Sequence, residues 1–166
     1  MTKDEKTYKT VAMGIFAALC TLSTFIQVPA PSGNINLGDC FVVVSGMLLG
    51  AARGAVSGGI GAALTDILSG YAVYAPGTLL IKAAMAVAAA FVYKSASKAT
   101  NNKTLSKIFA SAVAEVIMIL GYMLCEMLIF GKGAAIAGLW GNFVQAAAAM
   151  VASVIVATIL EKRVKQ

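Results

Sequence analysis

The chain has 166 residues, of which 60% are hydrophobic and 12% are charged, and its mean hydropathy is +0.86. A soluble domain of this length has no core large enough to bury so much apolar surface, so the composition favours an integral membrane protein. The formal net charge of +6 is explained by membrane orientation and by attraction to anionic lipid headgroups, rather than by nucleic-acid binding.

Six hydrophobic segments follow one another along the chain, and a helix needs about 20 apolar residues to cross a bilayer. They predict an all-α integral membrane protein, with one domain over residues 1–166 and a retained first helix rather than a cleaved signal peptide. A turn at Arg53, within "GAARGA", separates the short second and third segments. The predicted transmembrane helices span residues 8–28, 40–52, 54–70, 76–95, 106–130 and 133–160.

The basic residues predict the orientation of these helices. With six spans, eleven of the thirteen basic residues lie on one side of the membrane, and an odd number of spans would scatter them. By the positive-inside rule, that side and both termini are cytoplasmic. The eleven are Lys3, Lys6, Lys9, Arg53, Lys94, Lys98, Lys103, Lys107, Lys162, Arg163 and Lys165.

Several kinds of chemistry have no support in the sequence. There is no histidine, and the three cysteines have no paired spacing, which argues against a zinc site and a disulfide framework. The chain has neither a P-loop motif nor a G-x-S-x-G motif. The glycines of "SGGIGAAL" (57–64) follow no strand, so helix packing explains them better than nucleotide binding. We therefore predict neither an enzyme nor a bound cofactor or metal.

Ionisable residues inside the spans are expensive and usually face a partner or a cavity. Asp66 and Lys82 lie at similar depth in the third and fourth spans. We expect them to form a structural ion pair, and direct contact of either residue with a ligand is the alternative.

Polar residues of the fifth and sixth spans are concentrated in their outer halves. Glu115, Tyr122 and Glu126 are spaced by seven and four residues, which places them on one helix face. Asn142 and Gln145 are neighbours on the next helix, close to Trp140. These stripes predict the walls of a small-molecule pocket, although helix–helix hydrogen bonds and snorkelling of Glu126 are alternative explanations.

The outer loops complete the predicted pocket. The segment "IQVPAPSGNINLGD" (26–39) is longer than a turn requires, and we expect it to fold over the cavity as a lid that contributes Asn36 and Asp39. The next outer loop brings Tyr71 and Tyr74 to the same surface, where Tyr74 or Trp140 would stack on a ligand. An interfacial aromatic belt explains either tyrosine equally well.

The first span has a row of small residues, Thr10, Gly14 and Ala18, at intervals of four. Small residues at this spacing let helix backbones approach closely in lipid, where no hydrophobic force drives helices together. The row predicts a contact surface for another helix, belonging either to a partner protein or to the same chain.

Residues 35–86 resemble the substrate-binding S components of energy-coupling factor (ECF) vitamin transporters, in the branch related to the riboflavin, hydroxymethylpyrimidine and pyridoxine components. The resemblance is carried by "LGD", "LLG", "GGIG" and "YAVYAPGTLLIK", and it is looser in the rest of the chain. It implies a six-helix prokaryotic plasma-membrane subunit that captures a micronutrient and partners a membrane T subunit and two cytoplasmic ATPases.

The resemblance also implies that helix 1 docks on the T subunit. The family has an Ala-x-x-x-Ala pattern there, and this chain has Gly14-x-x-x-Ala18, preceded by Thr10. The residue types of the predicted pocket argue against a polyanion and favour a small neutral or weakly cationic heterocycle. The resemblance implies hydroxymethylpyrimidine or a pyridoxine-like ring first, with riboflavin behind it because its tricycle needs more room. The alternative function is a solitary carrier, or an oligomeric channel, that is not coupled to ATPases.

Overall fold

The computed structural model describes residues 3–30 and 33–164, which form six α-helices and one β-hairpin. Each helix falls on one of the six hydrophobic segments, with ends that shift by a few residues. The helices are α1 (Lys3–Phe25), α2 (Gly38–Leu49), α3 (Ala51–Leu68), α4 (Ala75–Thr100), α5 (Lys103–Phe130) and α6 (Lys132–Val164), and the strands are β1 (Gln27–Ala30) and β2 (Gly33–Asn36).

Four helices within the described residues are long and apolar enough to cross a membrane. They are Thr7–Phe25 of α1, Ala75–Thr100, Lys103–Phe130 and Lys132–Glu161. Helix α2 is apolar but has only 12 residues, which makes it about 18 Å long at 1.5 Å per residue. The hydrocarbon layer is about 30 Å thick, so α2 is too short to cross it alone.

Consecutive helices run in opposite directions. In α5 and α6, for example, Ser111 lies 2.8 Å from Ser153 between their hydroxyl oxygens, while Glu126 lies against Gly138. Because the direction alternates along the chain, the α1–α2, α3–α4 and α5–α6 connections all lie at one end of the bundle. The beginning of α1 and the end of α6 lie at the opposite end, with the α2–α3 and α4–α5 connections.

The turn between α2 and α3 lies at Gly50, not at Arg53 as the sequence suggested. Gly50 has φ +85°, a conformation that favours glycine because it has no Cβ, whereas Arg53 is already in the first turn of α3. The two helices therefore form an antiparallel pair rather than one kinked helix.

The fold is not entirely helical, because part of the predicted lid loop forms an antiparallel hairpin. Gln27 pairs with Asn36, and Val28 pairs with Ile35. The sequence did not indicate these strands for two reasons. The segment is rich in proline, glycine and asparagine, and only one cross-strand pair, Val28 with Ile35, is apolar. The hairpin leads directly into α2 and covers one end of the bundle.

Glycines allow the central helices to approach closely. A Cβ built on Gly46 would lie 2.2 Å from the carbonyl oxygen of Ala86 in α4, and one built on Gly54 would lie 2.6 Å from the Cα of Gly46. A Cβ on Gly61 would lie 2.5 Å from the carbonyl oxygen of Ala17 in α1. Close contact of this kind supplies van der Waals attraction where lipid provides no hydrophobic drive.

A buried polar cluster joins α4, α5 and α6 at the end of the bundle that contains the α4–α5 connection. Lys107 is 2% exposed, and its Nζ lies 3.0 Å from Glu161 Oε2 and 3.0 Å from Thr158 Oγ1. Tyr93 donates its hydroxyl proton to the same Glu161 carboxylate. Lys107, one of the basic residues used to predict orientation, is thus also a packing residue.

We expect Gly46→Ala to destabilise the bundle strongly, because the new methyl group would collide with the backbone of α4. Overpacking of a close-packed interior typically costs about 1–3 kcal/mol. Thermal unfolding of the purified protein in detergent measures the effect. Gly133→Ala is the matched control, since a Cβ there meets nothing within 4 Å. A Gly46→Ala protein as stable as the control would contradict this account of helix packing.

Candidate functional site

A cavity of about 300 Å³ lies at the hairpin end of the bundle, between the hairpin and the outer turns of the helices. Its walls come from α1, the hairpin, α3, α4, α5 and α6, together with the α3–α4 connection. The lining residues are Thr24, Gln27, Asn36, Ala62, Asp66, Tyr71, Tyr74, Thr78, Lys82, Tyr122, Glu126, Gly141, Asn142 and Gln145.

Most of the residues expected to bind substrate come together in this cavity. It brings the outer polar stripe of α5 and that of α6 into one space with Lys82 of α4 and with the hairpin. The expected residues that line it are Asn36, Tyr74, Lys82, Tyr122, Glu126, Asn142 and Gln145.

Three expected substrate-binding residues do not line the cavity. Trp140 is 72% exposed on the outer surface of α6, so it offers no stacking surface to a ligand in this cavity. Asp39 and Glu115 are buried and lie outside the lining, and both carboxylate oxygens of Glu115 are without a hydrogen-bond partner among the described residues. The seven-residue spacing from Glu115 to Tyr122 is two helical turns, which carries Glu115 below the cavity floor.

The ion pair at the cavity floor joins Lys82 to Asp39, not to Asp66 as the sequence suggested. Both partners are almost fully buried, and the Lys82 ammonium group donates a hydrogen bond to Asp39 Oδ1. Depth estimated from span boundaries did not show which helix face carries each residue. In the fold both residues line the cavity, but Lys82 reaches Asp39 in the first turn of α2 and forms no salt bridge with Asp66.

Gln145 connects the ion pair to the hairpin. Its Nε2 donates to Asp39 Oδ2 at 2.8 Å, and its Oε1 accepts from the backbone N–H of Asn36 at 3.1 Å. Asn36 Oδ1 in turn accepts from the backbone N–H of Gly38, at the start of α2. The amide of Gln145 is therefore engaged on both sides, and this residue positions the hairpin over the cavity.

Aromatic side chains form part of the wall. The Nζ of Lys82 lies 4.9 Å from the centroid of the Tyr122 ring, within the range of a cation–π contact. The Tyr122 hydroxyl lies 3.1 Å from Thr78 Oγ1, and the ring of Tyr74 packs on Phe130 at a centroid distance of 5.5 Å. The two tyrosines are thus held in place at the cavity wall by their neighbours.

Sequence reasoning missed five lining residues as members of the site: Thr24, Gln27, Ala62, Thr78 and Gly141. For Asp66, contact with a ligand was the alternative to the expected ion pair. The spacing of Thr78 to Lys82, one helical turn, was a usable signal that both share a face. Thr24 and Ala62 belong to apolar stretches of α1 and α3. Which side chains of such a stretch point into the bundle depends on how the helix packs against the others. Among the residues that the structure describes, no three acidic, cysteine or histidine side chains gather into a metal site.

The small-residue row of α1 lies away from the cavity and on the outer surface. Gly14 and Ala18 are exposed, as is Thr10, and a Cβ on Gly14 would meet nothing within 4 Å. The helix packs inward through a different face, which includes Phe16 and Cys20. Gly14 and Ala18 therefore lie on a face of α1 that the described helices leave exposed.

Comparison with known proteins agrees with this architecture. Residues 4–165 match the family described as ECF-type riboflavin transporter, S component. The chain is 31% identical over 144 residues to an uncharacterized protein encoded in the gap 3′ region of Pyrococcus woesei, covering 87% of this chain and 93% of that protein. It is 28% identical over 167 residues to the thiamine precursor transporter HmpT of Lactococcus lactis subsp. cremoris strain MG1363, covering 96% and 92% of the two chains.

Three findings lead to the same assignment. The helices are hydrophobic, a polar cavity lies at one end of the bundle, and a family match covers nearly the whole length. The chain belongs to the ECF-type riboflavin transporter S component family, as a multi-pass transport protein of the prokaryotic plasma membrane rather than an enzyme.

Proposed function

We propose that this protein captures a vitamin or vitamin precursor, a small heterocycle such as hydroxymethylpyrimidine or pyridoxine, in the cavity beneath the hairpin. The cavity itself is the observation that carries the proposal, since about 300 Å³ is at the small end of the range for ligand pockets. That size suits one ring better than the tricyclic ring system of riboflavin. The similarity to HmpT, named a thiamine precursor transporter, supports the same ligand class.

The proposal includes the coupling that ECF S components use. The protein would deliver its ligand through a membrane T subunit that is energised by two cytoplasmic ATPases. The exposed row of Thr10, Gly14 and Ala18 supports this coupling, because a flat strip of small residues on an outer helix surface suits close approach by a partner helix.

The proposed topology places both termini in the cytoplasm and the hairpin outside. The alternating helices place the basic termini at one end of the bundle and the cavity at the other. We expect a cysteine introduced by Gly33→Cys to react with an impermeant maleimide on intact cells, and one introduced by Asn101→Cys to remain unlabelled.

The wild-type chain, with its own Cys20, Cys40 and Cys125, sets the background of that measurement. Labelling at position 101 in intact cells, with protection at position 33, would reverse the proposed orientation.

For docking, we expect Gly14→Leu or Ala18→Leu to abolish assembly with the T subunit and ATPases while ligand binding by the isolated protein is retained. The larger side chain would hold the two helices apart and remove their close contacts. Co-purification of the ATPases with a tagged S component measures assembly.

Val11→Leu is a matched control, because Val11 is also exposed on α1 but is already a large residue. Leucine variants that assemble at wild-type yield would assign the docking surface to another face. A wild-type protein that transports ligand without any ATPase would favour the solitary-carrier function.

We expect the cavity residues to divide into ligand contacts and structural supports. Asn142→Leu should weaken binding about 5- to 150-fold without loss of the fold, because Asn142 lines the cavity and its buried Nδ2 has no partner among the described residues. Lys82→Met should instead lower folding stability by about 3–5 kcal/mol, since it leaves the buried Asp39 carboxylate without its counter-charge.

The small molecules released from the denatured wild type are first analysed by mass spectrometry. Calorimetric titration with hydroxymethylpyrimidine then measures the effect on binding, and thermal unfolding measures the effect on stability. Phe143→Leu is the control for Asn142, because Phe143 is adjacent but 54% exposed and outside the cavity. The roles would be exchanged if Asn142→Leu bound the ligand normally while Lys82→Met was stable but did not bind. Lys82 would then be the ligand contact and Asn142 the structural support.

A further inference from the structure

The charged groups of the cavity are not balanced. Lys82 is the cationic residue among the described lining residues, and its charge is compensated by Asp39 at the cavity floor. Asp66 of α3 and Glu126 of α5 also line the cavity, and neither forms an ion pair with a described residue. Two carboxyl groups on different helices therefore line the ligand space without a salt bridge among the described residues, although Lys82 still attracts Asp66 electrostatically.

Each of these carboxyl groups has one buried oxygen with no hydrogen-bond partner in the described part of the chain. The oxygens are Asp66 Oδ2 and Glu126 Oε2, and the buried Nδ2 of Asn142 is unpartnered in the same cavity. Buried polar atoms without partners cost folding free energy, and a bound molecule that supplies the missing partners offsets that cost. The unsatisfied set consists of two acceptors and one donor.

The Glu126 carboxylate packs against the backbone of α6 at a glycine, Gly138. A Cβ built on Gly138 would lie 2.3 Å from Glu126 Oε2 and 2.9 Å from Oε1. Any residue other than glycine at position 138 would push the carboxylate away from α6. Gly138 therefore allows Glu126 to keep its place at the cavity wall, even though no described side chain binds its Oε2 atom.

We propose that Asp66 and Glu126 are the specificity-determining residues of the cavity, and that they select ligands that present N–H or O–H donors on two edges. The ligand would also present an acceptor to Asn142 Nδ2. Phosphorylated forms of the ligand are rejected, because a phosphate would meet two carboxylates and a lysine already paired with Asp39. This assignment rests on the proposed function, and it gives Asp66 a role in recognition rather than in ion pairing.

Three probes test the assignment by calorimetric titration of the full-length protein in detergent. The first is hydroxymethylpyrimidine, which carries an amine and a hydroxymethyl group, and the second is its analogue with a hydrogen atom in place of the amine. The third is the phosphate monoester of hydroxymethylpyrimidine. We expect the wild type to bind the amine at least about 10-fold more tightly than the other two, as loss of a hydrogen bond to a charged group implies.

We expect Asp66→Asn and Glu126→Gln each to weaken binding of the amine about 10- to 150-fold. Each should also reduce the preference for the amine over the phosphate ester, because one repelling charge is removed. A relative gain for the ester separates loss of recognition from general damage to the fold. Phe143→Leu is the control, since Phe143 is 54% exposed on α6 and does not line the cavity.

The outcomes distinguish this inference from the function on which it rests. Wild-type affinity and wild-type discrimination in both cavity variants would overturn the assignment of the carboxylates and leave the proposed function intact. A wild-type protein that binds none of the three probes would overturn the proposed ligand class, and the inference with it.

Discussion

The buried ion pair between Asp39 and Lys82 is the interaction on which the architecture of the site depends. It joins the first turn of α2 to α4, and through Gln145 it extends to α6 and to the hairpin. Two charges removed from water are costly unless their remaining hydrogen-bonding positions are also filled. Here Gln145 fills the second oxygen of Asp39, so the pair and the hairpin stabilise each other.

Because Lys82 is committed to Asp39, the character of the cavity is determined by its other polar groups. Asp66, Glu126 and Asn142 retain unpartnered atoms, and these atoms come from three different helices. Tyr122 is held by Lys82 on its ring face and by Thr78 at its hydroxyl. At the floor of the site Lys82, Asp39 and Gln145 are thus bound to one another, whereas the walls retain unpartnered hydrogen-bonding atoms.

Small residues lie in two different surroundings in the bundle. Gly46, Gly54 and Gly61 lie where helix backbones nearly touch, and an added methyl group at any of them would collide with a neighbouring backbone. Gly14 and Ala18 lie on the outer face of α1, where an added group at Gly14 would meet nothing in this chain. Sequence alone did not separate these two surroundings, because the spacing of small residues is similar in both.

The sequence by itself determined the six helices, the concentration of polar residues at one end and the family, because hydrophobic length, charge distribution and helical spacing are local properties of the chain. It also identified half of the residues that line the cavity. Only the tertiary structure decided that Lys82 pairs with Asp39, that Glu115 and Trp140 lie outside the cavity, and that the lid contains a hairpin. Those facts depend on the rotation of each helix about its axis, which is set by close packing against residues distant in the sequence.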